Sequence, residues 1–494
     1  MVIRKPKSLI ASSRSWHQGL SILGGLALLM FAISGILHPL MSWTGPKAVT
    51  FFPPKAVMTG TSTAVIPDIL QRHLIHNALM IKVVPSQHQN VLQITETNDG
   101  PRRYFNLTSG EELIDYDQQH AIWLARHYTG LTDTKINHIT LQTEFNAQYP
   151  WVNRLLPVYR VVFDTPDKLT AFIYTELGAL GSLTNTYKTM VQSVFRALHT
   201  WSFLSEWEQG RVVLMLLFLS TLVAMIATGA AMIVLLKTRR VHRTRQWHRL
   251  IAYFIWLPLL MFSASGIYHL LHHANSAPHH GIQLARLIDV SPNRFGRHAD
   301  MLTSYATVQL TGISVVEGPH NRLLYRLGLP ANRQDQHVTR SARFDGIPIE
   351  QPSVYVSALT GKFVNITDRD MAMYYAKQHM GPDHPPISNT ASITHFGPEY
   401  DFRNKRLPVW RIDYDTPTND TLFIDPATGM QVDRLANRSR YERYAFAVLH
   451  KWQFLVPLIG RQGRDILMVT ILILAIVATI LGFFMRFRSK TGRR

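Results

Sequence analysis

Six histidines occupy matching places in the two halves of this chain of 494 residues. Four of them form two pairs that each frame an apolar stretch, His17 with His38 and His248 with His269. The other two, His199 and His450, each precede a further apolar stretch. The members of each pair are 21 residues apart in the sequence. On an α-helix this spacing is about 31 Å of rise, close to the thickness of the apolar core of a bilayer. The spacing therefore predicts imidazoles near both faces of a membrane.

Imidazoles so placed could bind a metal. A zinc site needs three or four ligands close together, whereas these histidines divide between two faces. A b-type haem needs only one or two axial imidazoles and an apolar slot between helices. Histidines at span ends can also serve as simple headgroup anchors, but the match across both halves favours ligands. The six histidines therefore predict at least two b haems, which would pass electrons from one face to the other.

The pairing of ligands is only partly fixed by the sequence. His17 and His248 are predicted to share one haem at the cytoplasmic face. Four histidines remain at the other face, enough for one or two further sites: His38, His199, His269 and His450. The favoured pairings join His38 or His269, at the end of a span, to His199 or His450, which lies before a span. Because Pro39 follows His38, the role of His38 as a ligand is left open.

Four apolar runs are long enough to position these residues in a bilayer, at about 18–42, 211–236, 249–271 and 465–485. The net charge is +19, and segments 1–16, 237–249 and 486–494 hold 15 basic residues and no acid. Such segments stay in the cytoplasm, so both termini are predicted inside and both long loops outside. Most of the net positive charge lies in these segments beside the spans, which argues against a nucleic-acid partner. The absence of cysteine excludes disulfides, thiolate ligands and covalent haem attachment.

The chain is internally duplicated. Trp16-His17 matches Trp247-His248 at an offset of 231, and Ser34-Gly35-Ile36 matches Ser265-Gly266-Ile267 at the same offset. Farther on the offset is 251: LPVYRVVFDTP matches LPVWRIDYDTP, and LHTWSFL matches LHKWQFL. Each loop also repeats a pattern of strand, glycine turn, strand and helix. We therefore predict four transmembrane helices in two tandem repeats, with two extracytoplasmic α+β domains.

The predicted domain boundaries follow from these runs. They are an N-terminus and first span at 1–43, a first periplasmic domain at 44–186, an interfacial helix and second span at 187–238, a basic loop and third span at 239–272, a second periplasmic domain at 273–440, and an interfacial helix, fourth span and basic tail at 441–494.

The spans WHQGL…SGILH and WHRLI…SGIYH, the segments LHTW and LHKW, and the turn FIDPATG resemble the PepSY-associated transmembrane family. The resemblance covers two family units in tandem and is strongest to the ferrisiderophore-reductase branch. It implies PepSY-like outer domains in the bacterial inner membrane and b haems held by the six histidines. It also implies reduction of a ferric siderophore or similar chelate in the periplasm. A quinol or a cytoplasmic reductase would be the electron donor.

Two other functions fit the same sequence. The chain could be a membrane-anchored binding or regulatory protein of the PepSY type without redox activity, or a transporter of metal or siderophore. A histidine-rich stretch after the third span could bind metal or substrate, although a solvated turn is the simpler interpretation; its residues are His272, His273, His279 and His280.

Overall fold

A computed structural model describes residues 7–54, 58, 63–87, 89–235, 242–274, 281–284, 286–296, 309–330, 342–347 and 352–491. The chain divides into two compact units. The helical unit comprises Met1–Gly45, Tyr187–Ala277 and Ser439–Arg494. The sheet unit comprises Pro46–Thr186 and Pro278–Arg438.

The helices in chain order are α1 (Lys7–Thr44), α2 (Ile66–Arg72), α3 (Tyr116–Thr129), α4 (Thr186–His199), α5 (Glu208–Leu235), α6 (Arg243–His273), α7 (Ala342–Asp345), α8 (Asp368–Met380), α9 (Asn437–Ala445) and α10 (Val456–Thr491). A turn of π-helix, Phe446–His450, continues α9. In the described part of the chain, four helical stretches are long and apolar enough to cross a membrane: Leu9–Thr44, Ser202–Leu235, Arg243–His273 and Gln453–Arg488. They overlap the four predicted spans, which confirms four helices of the length and composition that a membrane span needs.

The four long helices form a bundle in which α1 and α6 each pack against both α5 and α10. Small residues permit close packing, because Ala27, Ala475 and Ala478 are almost completely buried in the shared apolar core. A side chain at Gly25 would lie 2.7 Å from the ring of Phe483 on α10. The arrangement leaves α1 and α6 facing each other across the interior of the bundle.

The strands are β1 (Asn77–Ala78), β2 (Met80–Pro85), β3 (Asn90–Thr95), β4 (Arg103–Asn106), β5 (Ile136–Gln142), β6 (Val158–Phe163), β7 (Thr170–Tyr174), β8 (Ala179–Thr184), β9 (Ile288–Asp289), β10 (Gly312–Gly318), β11 (Arg322–Gly328), β12 (Val354–Ser357), β13 (Phe363–Val364), β14 (Ile387–Ile393), β15 (Val409–Tyr414), β16 (Thr421–Asp425) and β17 (Met430–Leu435). They occur in runs that pair antiparallel, with helices between the runs, which matches the predicted α+β class.

Each loop builds one antiparallel sheet of its own, in the order β5-β6-β7-β8 in the first loop and β14-β15-β16-β17 in the second. In the first, α3 covers the sheet by burying Ala121, Leu124 and Tyr128 against β6 and β7. A third sheet joins both loops in the order β13-β12-β11-β10-β2-β3-β4, through pairing of β10 with β2. The segments predicted as separate domains thus share one compact sheet unit.

The backbone follows the sequence repeat closely. Six pairs of residues with positive φ are separated by the same 251 positions: Gly110 and Gly361, Gly130 and Gly381, Arg154 and Lys405, Lys168 and Asn419, Gly178 and Gly429, and Trp201 and Trp452. Strands β5 to β8 also begin 251 residues before strands β14 to β17. Equivalent turns therefore recur in both loops.

A buried ion network ties the two halves of the sheet unit together. Glu176, whose side chain is fully buried, accepts hydrogen bonds from Lys82 at 3.0 Å and from Arg406. Arg406 also donates to Asp425 at 2.9 Å. Although burial raises the pKa of Glu176, the charges of Arg406 and Lys82 hold that pKa at about 2. The stability that the ionised Glu176 contributes is therefore fully present above the ordinary pKa of glutamate. It is lost as the pH falls toward 2.

Substituting Glu176→Gln should destabilise the sheet unit, because it leaves two buried cations with one fewer counter-charge. Breaking a buried pair typically costs about 3–5 kcal/mol. A loss of this size lowers the midpoint of thermal unfolding by roughly 6–10 °C in a unit of this size. Scanning fluorimetry of the full chain in detergent measures this midpoint. Glu111→Gln, at an exposed position, is the matched control and should shift the midpoint by less than about 2 °C.

Candidate functional site

His17 and His248 face each other inside the bundle. Their ring centres are 6.5 Å apart and the ring planes are inclined at 67°. Two imidazoles on opposite sides of one metal ion stand about 6 Å apart between ring centres, given metal–nitrogen bonds of about 2 Å. The spacing of this first pair therefore suits two axial ligands of a single iron.

Hydrogen bonds orient both rings of the first pair. Nδ1 of His17 donates to the carbonyl oxygen of Met225 on α5 at 3.0 Å. Nδ1 of His248 donates to the carbonyl oxygen of Ala478 on α10 at 2.8 Å. With Nδ1 bonded to the backbone, Nε2 of each neutral ring is the nitrogen that can ligate a metal.

Glycines make these hydrogen bonds possible. Gly229 follows Met225 by four residues and Gly482 follows Ala478 by four, so each lies one helical turn beyond the acceptor on the same face. A Cβ atom would lie 3.2 Å from Cε1 of His17 if placed at Gly229, and 3.4 Å from Cε1 of His248 if placed at Gly482. The missing side chain at Gly229 leaves room for the ring of His17 to reach the helix backbone, whereas a Cβ atom at Gly482 would make an ordinary van der Waals contact with His248.

An apolar cavity adjoins the first pair. It holds about 640 Å³ free of protein atoms, part of it open at the surface of the bundle. Its walls include Gly25, Leu28, Ile255 and Leu259, with Trp256 beside them. A mostly apolar slot with two facing imidazoles has the lining and the ligand types that a b-type haem uses.

His199 and His450 form a second pair. Their ring centres are 6.2 Å apart with planes inclined at 73°. His199 is the last residue of α4, and His450 ends the π-helical turn after α9. Burial lowers the pKa of His199 to about 4 and the pKa of His450 to about 3. Both rings are therefore neutral at pH 7, the form that binds metals.

Two serines orient the second pair. The hydroxyl of Ser34 donates to the carbonyl of Met30 at 2.8 Å, and its oxygen accepts from Nδ1 of His199 at 2.9 Å. Ser265 accepts from Nδ1 of His450 at 3.1 Å in the same manner. Nε2 again remains as the ligating nitrogen of both rings. The second pair thus has the ligand geometry of the first.

The two pairs are well separated along the bundle. Ser34, which contacts the second pair, follows His17 of the first by 17 residues on the continuous helix α1. Ser265 follows His248 by the same number on α6. A helix rises about 25 Å over that distance, most of the roughly 30 Å of a bilayer's apolar core. One ligand pair thus lies toward each end of the bundle.

His38 and His269 lie beside the second pair without completing another pair among the described residues. The ring centre of His38 is 5.9 Å from that of Phe195, which stacks on His199 at 4.9 Å. His269 stacks on Phe446 at 4.3 Å, and Phe446 stacks on His450 at 4.6 Å. A phenylalanine therefore separates each span histidine from the nearer member of the second pair.

The histidine-rich stretch is only partly described. His272 and His273 end α6, with ring centres 5.0 Å apart. His273 also approaches Glu442, where Nε2 and Oε2 are 3.9 Å apart. His279 and His280 lie outside the described residues.

A Gly229→Val substitution should displace the ring of His17, because branched carbons would occupy the space that the glycine leaves. We expect binding of haem at the first pair to weaken by about 10–100-fold, the usual effect of losing the hydrogen bond that orients a ligand. Haem titration of the purified apoprotein, followed at the Soret band, measures the affinity. Gly19→Val is the control, since no atom lies within 4 Å of a Cβ atom at that position, and equal weakening by it would contradict the role of Gly229.

Comparison of the chain with known protein families and with curated proteins finds no match.

Proposed function

We propose that this chain is a b-haem protein of the bacterial inner membrane that carries electrons across the bilayer to a ferric complex on the periplasmic side. The observation that supports it best is the pair of facing imidazoles toward each end of the bundle, 6.5 Å and 6.2 Å between ring centres. The first pair would hold one haem and the second pair another. Bound haem supplies one-electron redox chemistry.

The protein's own part is to fix the ligands and exclude water. Backbone carbonyls of Met225 and Ala478 and the hydroxyls of Ser34 and Ser265 hold the four rings with Nε2 directed away from the bonded Nδ1. Hydrogen bonds of this kind raise the basicity of the ligand and tune the redox potential. The apolar wall around the first pair lowers the local dielectric, which acts on the same potential.

The orientation in the membrane follows from charge. Basic residues flank the spans at 1–16, 237–249 and 486–494, and the positive-inside rule supports a first pair at the cytoplasmic face and two loops in the periplasm. A quinol or a cytoplasmic reductase would then supply electrons near the first pair. The acceptor would receive electrons from the second pair on the periplasmic side.

A ferric siderophore or similar chelate is the proposed acceptor, on the strength of the resemblance to PepSY-associated reductases. One electron converts Fe(III) to Fe(II). Hard oxygen ligands hold Fe(III) more tightly than Fe(II), so the transfer loosens the metal without breaking a covalent bond of the chelator. The metal step therefore needs no general acid or base.

The test is spectroscopic. The full chain, purified with haem and reduced under anaerobic conditions, should show a b-type spectrum that reoxidises on addition of a ferric hydroxamate chelate. The corresponding gallium chelate, which has the same charge and shape but accepts no electron, should leave the reduced spectrum unchanged. A folded protein that binds no haem, or a reduced spectrum indifferent to the ferric chelate, would overturn the proposal.

A further inference from the structure

A second group of potential ligands lies where α6 ends. His269 and His273 are four residues apart on α6, so their side chains share one face of the helix. Their ring centres are 4.5 Å apart. Glu442 of α9 meets both: its carboxylate lies 2.5 Å from Nδ1 of His269 and 3.9 Å from Nε2 of His273.

The geometry of the three side chains suits one ion. One ligand atom from each residue can be chosen so that all lie within 4.8 Å of one another. Metal–ligand bonds of about 2 Å place neighbouring ligand atoms roughly 3–4 Å apart. The spacing of the three side chains is therefore close to that of ligands around one ion.

Burial of the carboxylate indicates more than a surface contact. The side chain of Glu442 is 6% exposed, whereas the side chains of His269 and His273 are 39% and 35% exposed. A carboxylate is stable in a buried position when it is paired with a positive charge or coordinates a metal ion. A bound cation would supply the charge, and the partly exposed histidines leave it a path of entry.

The first half of the chain lacks this group. His38 occupies the position equivalent to His269 at the offset of 231, but Ser42 stands where the second half has His273. At the offset of 251, Val191 stands where the second half has Glu442. The first half thus folds with neither the carboxylate nor the second imidazole. Both groups therefore have a role that only the second half of the chain performs.

We propose that His269, His273 and Glu442 bind a divalent first-row transition-metal ion. Two imidazoles and one carboxylate on one side of the ion are a ligand set used for Zn²⁺ and for non-haem Fe²⁺, with the remaining coordination positions open to water or another ligand. The site does not include the first or second histidine pair, so it goes beyond the proposed haem function and can be tested separately.

The experiment measures zinc binding to the full haem-containing chain after removal of adventitious metal with a chelator. Equilibrium dialysis with Zn²⁺ and elemental analysis should find a tight site in the wild type. The double substitution Glu442→Val with His273→Ser installs the residues of the first half and should remove that site. His272→Ala, one residue away on the same helix, should retain it.

The haem spectrum provides the independent readout. We expect the double variant to keep the haem content and Soret band of the wild type while losing zinc. Three results would each overturn the proposal: no tight zinc in the wild type, zinc retained by the double variant, or loss of haem from that variant. The last result would instead assign Glu442 to the orientation of a haem ligand through His269.

Discussion

Replacing both His17 and His248 by alanine is expected to lower the haem content from about two per chain to about one. The two rings are the facing ligands of the first pair, 6.5 Å apart, and alanine offers no ligand. Ferric chelate reduction driven by a donor on the cytoplasmic side should fall by more than about tenfold, at least about 1.4 kcal/mol of barrier. The pyridine haemochrome count and anaerobic chelate reduction in proteoliposomes measure the two effects.

His242→Ala is the matched control for this double variant. His242 is the N-cap of α6, six residues before His248, and its side chain is exposed. The control should keep about two haems and the wild-type rate. An unchanged haem count in the double variant, with the protein still folded, would contradict the assignment of the first pair.

Replacing His199 and His450 by alanine should interrupt electron flow at the other end of the bundle. The remaining haem at the first pair should still be reduced by the donor, because its ligands and cavity are untouched. It should then stay reduced when ferric chelate is added, with reoxidation slowed by more than about tenfold. Stopped-flow absorbance under anaerobic conditions follows this step directly.

His272→Ala is the control for the second pair, since it removes a nearby histidine that belongs to neither pair. Its reoxidation should match the wild type. Fast reoxidation in the His199→Ala, His450→Ala variant would show that electrons leave from the first pair without passing the second, and the proposed route across the bundle would be wrong.

Local features of the fold could be predicted from the sequence because short-range chemistry determines them. The third span was expected at 249–271 and α6 covers Arg243–His273. Helices α3 and α8 end at Gly130 and Gly381, with φ of 73° and 93°, as the preference of glycine for the end of a helix dictates. In the repeated pattern of strand, glycine turn and strand, Gly361 has positive φ and joins β12 to its partner β13.

Long-range contacts could not be predicted in this way. The shared sheet depends on pairing β2 with β10, strands more than two hundred residues apart, and neither strand carries a local signal for its partner. Antiparallel pairing depends on register and on turn geometry, and the sequence repeat specifies neither for β2 with β10. The sequence therefore indicates the class of the loops but not their joint sheet.

The candidate site likewise has one feature that could be predicted from the sequence and others that could not. The facing of His17 and His248 follows from the repeat, since equivalent positions of two similar halves meet at the centre of the bundle. The roles of Gly229 and Gly482 were missed, because glycines are common in membrane helices and nothing in the sequence ties them to a histidine on another helix. Glu442 was missed too, although Val191 at the equivalent position is a signal that could have revealed it.

The most direct test counts haems and identifies their ligands in the purified wild-type chain. Pyridine haemochrome analysis should give about two b haems per chain, and low-temperature EPR of the oxidised protein should show two low-spin ferric signals typical of two imidazole ligands each. One signal should vanish in the His17→Ala, His248→Ala variant and the other in the His199→Ala, His450→Ala variant. A folded wild-type protein without haem, or signals that survive both double substitutions, would contradict the binding of haem by these four histidines.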